Sequence, residues 1–268
     1  MDFSSYAFAY VDFLLYLCGM KRKLLFVLSA IVLLPALAGA QERVAETQSR
    51  TKGAQWRAKG TQWRVGISGG ADYNWYTANT HYQTDYHYGG VWGWSAAVFA
   101  QYDFLPWLGL RAEFEALEKS NRFYRTGVYA GTNYITHNTY LHLPVMAQFR
   151  FGGVLNAKGL ALRGIANIGV YAGYWATSQQ KGTVSNPMSG KAEKVNQPYV
   201  FNRERDQRAD CGLAGGLGLE IQPSRHWAVH VEARCYYSLL SAVKQYMSVR
   251  DYRYNTTLGI QAGVAYLF

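Results

Sequence analysis

The last fifteen residues read Tyr254-Asn-Thr-Thr-Leu258-Gly-Ile-Gln-Ala-Gly-Val-Ala-Tyr-Leu-Phe268, and their even positions Tyr254, Thr256, Leu258, Ile260, Ala262, Val264, Tyr266 and Phe268 share one face. The odd positions are small or polar, apart from Leu267. Alternation with period two predicts a β-strand. A soluble sheet would turn a polar face outward, whereas the aromatic residues at both ends of this apolar face suit the two girdles of a membrane barrel. An aromatic carboxyl-terminal residue fits the last strand of an outer-membrane barrel.

The same alternation predicts seven more strands. The first spans residues 62–75, with Trp63, Val65, Ile67, Ala71, Tyr73 and Trp75 on one face and Arg64, Ser68 and Asp72 on the other. The second, residues 92–104, presents Trp92, Trp94, Ala96, Val98, Ala100, Tyr102 and Phe104. Further strands begin at Leu108, centre on residues 141–151, and cover residues 160–174, 213–221 and 227–239. Connections are short at 105–107, 152–159 and 222–226, and longer around 76–91, 122–138, 176–209 and 240–253. Outer-membrane barrels have short periplasmic turns and long surface loops, and an even strand number puts both termini in the periplasm. The pattern therefore predicts an all-β fold, an eight-stranded antiparallel up-and-down transmembrane β-barrel over residues 61–268. A lipocalin-like soluble barrel has the same strand count but the opposite polarity, apolar inside and charged outside.

Composition changes this picture little. Mean hydropathy is −0.17, yet aromatic residues make up 16%, with 22 Tyr and 8 Trp beside 27 Gly. That mixture suits strands apolar on one face only, and beyond residue 40 no apolar run is long enough for a membrane helix. Met20-Lys-Arg-Lys23, the apolar run 24–37 and Ala38-Gly39-Ala40 form a signal peptide over 20–40, cleaved after Ala40. Residues 1–19 carry Asp2 and Asp12 where a basic region belongs, so the expected start is Met20; a short helix before the signal is the rival. Residues 41–60 are polar and basic and are read as an unstructured linker. The net charge of +10 and pI near 9.4 would suit nucleic acid, but export excludes that partner, leaving anionic lipid headgroups, peptidoglycan or acidic glycans.

Eight strands enclose a space that side chains fill, so an open pore is not expected. Inward positions include Arg64, Arg111, Glu113, Glu115, Arg150, Arg163, Glu220, His230, Glu232 and Arg234. Unpaired charges in a narrow lumen are penalised by desolvation. A structural ion-pair network is therefore expected among Arg111, Glu113, Arg163, Glu220, Glu232 and Arg234, centred on Arg163, Glu113, Glu232 and Arg234. Pro144 cannot donate to a ladder and is read as a bulge or kink, which leaves the facing of His142 open. Cys211 and Cys235 share the outward parity, nearly opposite one another across a hairpin. They are either two lipid-facing free thiols or a cross-strand disulfide.

The aromatic girdle is expected from Trp63, Trp92, Trp94, Trp227, Tyr266 and Phe268. Thr51-Lys-Gly-Ala-Gln-Trp-Arg57 is repeated as Ala58-Lys-Gly-Thr-Gln-Trp-Arg64, read as a duplication lengthening the linker; holding an anionic leaflet is the alternative. His81, His87 and His137 accompany Asp85 on predicted loops, but no spacing fixes a catalytic or metal-binding geometry, so neither an enzyme nor a cofactor is expected. The longest loop, 177–208, offers Lys191, Lys194, Arg203 and Arg205 as candidates for binding an acidic glycan or protein.

Tyr140-Leu-His-Leu-Pro-Val145, Phe149-Arg-Phe-Gly152, the glycine-alternating Cys211-Gly-Leu-Ala-Gly-Gly-Leu-Gly-Leu-Glu220, Val231-Glu-Ala-Arg-Cys-Tyr-Tyr-Ser-Leu239 and Tyr254-Asn-Thr-Thr-Leu258 resemble the PorT-type outer-membrane barrel family (porin family) of Bacteroides-like bacteria. The resemblance covers most of residues 61–268 and implies an outer-membrane location and, from the founding member, a part in type IX protein secretion. The position of His142 is often acidic in that family. The expectation is a monomeric barrel in outer-membrane lipid, acting with envelope or secretion proteins; a surface adhesin and a small-solute channel are the rivals.

Overall fold

The computed structural model describes residues 62–268 apart from 79–84, 153–160, 187, 189–190, 225 and 245–251. The readings of the signal peptide, the linker with Trp56, the turn at 153–159 and His81 lie outside the described residues. Ten strand segments are described: β1 (Gln62–Ala78), β2 (Tyr86–Leu105), β3 (Leu108–Glu118), β4 (Asn121–Arg125), β5 (Asn133–Phe151), β6 (Ala161–Asn186), β7 (Lys191–Pro198), β8 (Ala209–Gln222), β9 (Trp227–Ser238) and β10 (Arg253–Leu267).

Eight of these are staves, each antiparallel to the next in the order β1, β2, β3, β5, β6, β8, β9, β10. The ring closes where β10 returns to β1, in register from Arg64 opposite Leu267 to Ala78 opposite Arg253. Beyond β10, the Phe268 amide donates to the Trp63 carbonyl at 3.1 Å. Closure leaves no stave with an unpaired edge, a necessity where no water can satisfy backbone groups.

The alternation seen in the sequence sets the two faces. Along β9 every second residue is exposed, Trp227, Val229, Val231, Ala233, Cys235 and Tyr237, while Ala228, His230, Glu232, Arg234, Tyr236 and Ser238 are buried inside. A one-residue slip would put Glu232 and Arg234 against lipid, where a midplane Arg costs roughly 2–4 kcal/mol. The six expected girdle residues Trp63, Trp92, Trp94, Trp227, Tyr266 and Phe268 all face outward. At the short-turn end Tyr266 contacts Trp227 and Phe268, with ring centroids 5.2 and 5.1 Å away. Toward the other end Tyr73 and Trp92 meet edge to face at 5.4 Å.

Three expectations are corrected. The long connections are largely strand: β6 runs 26 residues, against roughly 9–11 for a membrane crossing, and pairs with β5 and β7 well past the staves' apolar belt. With β4, these extensions form a collar. Second, Pro144 makes no bulge; β3 and β5 keep one register on either side of it, Ala112 opposite Val145 and Glu115 opposite His142. Proline lies inward and withholds only its own ladder bond, so His142 is a fully buried lumen residue. Third, Cys235 lies opposite Gly215, four residues along β8 from Cys211, or about 13 Å at the rise of a strand. That distance is too great for a disulfide between them. Cys235 is the exposed free thiol among the described residues, whereas Cys211 is buried, so two lipid-facing thiols are not present.

The bulges lie elsewhere. Between Gly90 and Ser95, β2 takes five steps while its partners take four from Asn121 to Leu117. On β6, two steps from Thr177 to Trp175 oppose one from Thr139 to Tyr140. Each extra residue reverses which parity faces inward above it.

Candidate functional site

The interior is stacked in layers. At the short-turn end Arg64 Nε lies 2.7 Å from Asp103 Oδ2 and its Nη1 lies 2.9 Å from Glu220 Oε2. Arg150 Nη2 donates to the other Asp103 oxygen at 2.6 Å and to Gln148 at 3.0 Å. Arg163 Nη1 is 3.6 Å from Glu220 Oε1. Beginning at the level of Arg64, which Leu267 faces across the β1–β10 pair, an apolar group of Phe99, Ala228, Ala265 and Leu267 narrows the lumen, and the Arg111 guanidinium rests 3.8 Å over the Phe99 ring. Leu267, the odd apolar residue of the terminal strand, therefore has its place inside.

Arg234 dominates the middle. It reaches Glu113 through Nη1 and Nη2 at 2.5 and 3.1 Å and Glu232 through Nε and Nη2 at 3.1 and 3.0 Å. Arg111 Nε approaches Glu113 at 2.5 Å, off the line of a directed hydrogen bond, so this is a contact of charge. The strands supply these groups from opposite walls, β3 facing β9. Tyr236 and Gln261 both donate to Glu115 at 2.7 Å.

The six residues expected to form one network are thus divided. Arg111, Glu113, Glu232 and Arg234 meet at mid-height, but Arg163 and Glu220 belong to the lower cluster with Arg64, Asp103 and Arg150. Arg163 is a correction as a central residue, because its place beside the turn of β6 keeps it from reaching Glu113. Asp103 was legible from the parity of β2.

Higher still, Lys119 Nζ lies 2.7 Å from Asp210 Oδ2 and donates to the Tyr171 hydroxyl at 3.3 Å. The Tyr171 and Ser238 hydroxyls are 2.8 Å apart, and His142 stacks on Tyr171 with centroids 4.4 Å apart. Lys119 lies between β3 and β4 and Asp210 near the start of β8, both beyond the stretch where alternation is plain. Around them Leu117, Tyr140, Met146, Tyr171, Trp175, Ala214 and Tyr236 form an apolar layer, against which Tyr199 and Phe201 pack. Residues 199–208 fold over this layer. Arg208 Nε and Nη2 donate to the Trp175 and Ala176 carbonyls at 3.0 Å, and Tyr199 donates to Asp206 at 3.0 Å. Burial and then the Asp206 carboxylate push the Tyr199 hydroxyl above the usual phenol range, so it remains a donor.

Above lies a cup of about 600 Å³ within the collar. Tyr76, Tyr86, Tyr88, Tyr134, Trp175 and Tyr199 line it, with Arg125, Arg205 and Arg253. Tyr86 and Tyr88 face inward although Trp92 and Trp94, of the same parity, face outward; the β2 bulge reverses them. The sequence held no sign of that reversal.

Of the expected loop residues, Arg205 reaches the cup, its Nε 3.0 Å from Asp206. Lys191 and Lys194 are on the exposed β7 and Arg203 in an exposed turn, away from the lining. His87 stacks on Tyr124, and Asp85 pairs with Arg125 at 2.5 Å, apart from both. His137 Nδ1 lies 2.5 Å from Glu118 and 3.4 Å from Ser120 Oγ. This resembles a hydrolytic triad in composition only. Both partners crowd one ring nitrogen, whereas proton relay needs the serine and the carboxylate on opposite nitrogens. Among the described residues no group of His, Cys, Asp and Glu could hold a metal ion.

A closed ring of eight antiparallel staves, apolar outside and charged within, defines an outer-membrane β-barrel protein. The chain belongs to the family described as outer membrane protein beta-barrel domain, whose model matches residues 44–244 and so spans β1 to β9. Its place is the bacterial outer membrane, with the short turns periplasmic and the collar extracellular. Similar solved structures include the outer membrane protein OprG of Pseudomonas aeruginosa, at 11% identity and TM-score 0.43, covering 78% of this chain and 95% of that one. Neisserial surface protein A is similar at 13% identity and TM-score 0.40, over 78% and 99% of the two chains. So is the attachment invasion locus protein Ail of Yersinia pestis, at 13% and 0.36, over 76% and 98%. No curated protein matches the sequence.

Proposed function

We propose that this barrel is a plugged, non-enzymatic envelope protein that works through contacts at its extracellular end, not as a conduit. One observation carries the reading. Arg234 on β9 holds Glu113 on the facing β3, Arg111 on β3 lies 3.9 Å from Glu232 on β9, and lower down Arg64 on β1 holds Glu220 on β8, all of them nearly fully buried, so opening a path would break several buried ion pairs together. The collar, by contrast, projects paired strand beyond the lipid and ends in a concave surface, an arrangement suited to grasping something outside the cell. The protein acts as a monomer in this reading, since the closed ring leaves no stave edge within the membrane for a second copy to extend.

Planar-bilayer recording from the purified protein tests it. The expected result is silence, and steady openings of nanosiemens size would overturn the plugged lumen in favour of a small-solute channel. Within the same reading, the motifs that resemble PorT-type barrels support a part in protein secretion. Deleting the gene and fractionating the cells separates the two roles: exported proteins stalled in the periplasm support secretion, and normal export leaves adhesion or ligand binding at the surface.

A further inference from the structure

We propose that the collar's cup is a binding site for an acidic oligosaccharide, one carrying uronic carboxylates on stacked sugar rings. The inference rests on the reading that the extracellular end is the working end. The cup's volume, about 600 Å³, falls in the roughly 300–1,000 Å³ range of small-ligand sites, too small for a folded domain and large enough for a few rings. Among the described residues, its lining contributes three guanidinium groups and no carboxylate.

The guanidiniums are held in place before any ligand arrives. Arg125 lies over Tyr129 at 3.5 Å and over Tyr86 at 4.6 Å, Arg253 over Tyr88 at 5.4 Å, and Arg205 over Tyr199 at 5.9 Å. Asp85 and Asp206 lie outside the lining and pin two of them, Arg125 by Nε and Nη2 at 2.8 and 2.5 Å and Arg205 by Nε at 3.0 Å. A guanidinium has five N–H donors, so both keep donors for a second acceptor. Such a fork, fixed in direction, fits the paired oxygens of a carboxylate.

The remaining surface is flat rings and amides, with Tyr76, Tyr134 and Trp175 beside Asn138, Gln180 and Gln197. Ring faces cover the C–H face of a sugar, and amides exchange hydrogen bonds with its hydroxyls. A lipid headgroup is a poorer fit, because the cup lies beyond the outward aromatic belt of Tyr73 and Trp92. The surrounding collar also carries Lys191, Lys194 and Arg203, which would draw a polyanion toward the opening.

The test is calorimetric titration of the full-length protein in neutral nanodiscs with hyaluronan hexasaccharide, and with uncharged maltohexaose as control. Hyaluronan is expected to bind and maltohexaose not to, with affinity falling as salt is raised. Arg125→Gln and Tyr134→Ala are each expected to weaken binding about tenfold or more, a loss of about 1.4 kcal/mol, while heat-modifiable gel mobility shows the barrel intact. Equal binding of the two saccharides, or unchanged affinity in both variants, would overturn the proposal. A conducting barrel would overturn the reading beneath it, whereas a closed barrel that ignores hyaluronan would overturn the saccharide site alone.

Discussion

The lower and upper halves of this lumen solve the same problem differently. Below, Arg64, Arg111, Arg150 and Arg234 each meet buried carboxylates, with Arg64 reaching β8 and Arg234 the facing β3, so charge satisfies charge and the barrel is locked shut. Above, Arg125 and Arg205 lie on tyrosine faces and each meets a single carboxylate, Asp85 or Asp206, which leaves N–H donors for the cavity. Both regions use the same residue type. What distinguishes plug from site is whether the guanidinium's remaining donors meet protein or space.

The largest effect is expected where the lock is tightest. Arg234→Leu leaves Glu113 and Glu232 buried without their chief partner, at a cost of about 3–5 kcal/mol, measured by urea unfolding from lipid vesicles. Replacing Glu113 and Glu232 by Gln in that background should recover much of the loss; if it does not, packing and not charge holds this layer. Next comes the seam, where a side chain at Gly66 would start 2.2 Å from the Val264 carbonyl and 2.4 Å from the Phe99 ring. Gly66→Val should cost about 1–3 kcal/mol through overpacking, seen as a lower melting point of the heat-modifiable band.

In the upper half the effects shrink and become local. Tyr199→Phe removes the hydroxyl bonded to Asp206, worth about 1 kcal/mol, and should speed proteolysis within residues 199–208 without altering global unfolding. Smallest of all is Cys235→Ala on the lipid face, expected within about 0.5 kcal/mol of the parent by urea unfolding. Before substitution, Cys235 should react with an apolar maleimide but resist a charged one while the protein is in membranes.

How far the sequence could be read follows the same division. Period-two alternation located all eight staves and sent Trp63, Leu267, Glu113 and Arg234 to the correct faces, because in a barrel each side chain's neighbours are decided by parity alone. It failed where parity failed. The extra residues in β2 and β6 turn Tyr86, Tyr88 and Gln180 inward, and a bulge leaves no composition signal in a tyrosine-rich segment. Depth was also hidden: Arg163 and Glu113 share the lumen, but which height each occupies depends on the stagger between strands, which no single strand records. The cup needed both the bulges and the paired hairpins that the sequence showed only as long, polar loops.

The seam between β1 and β10 has a consequence for how the protein is made. Gln62 Nε2 donates to the Phe268 carbonyl at 3.3 Å, joining positions 206 residues apart. No growing or partly exported chain can complete that contact, so β1 must wait with a bare hydrogen-bonding edge until the final strand arrives. For this chain biogenesis is therefore a matter of custody: something in the periplasm has to shield the first strand for the whole time that the last one is in transit.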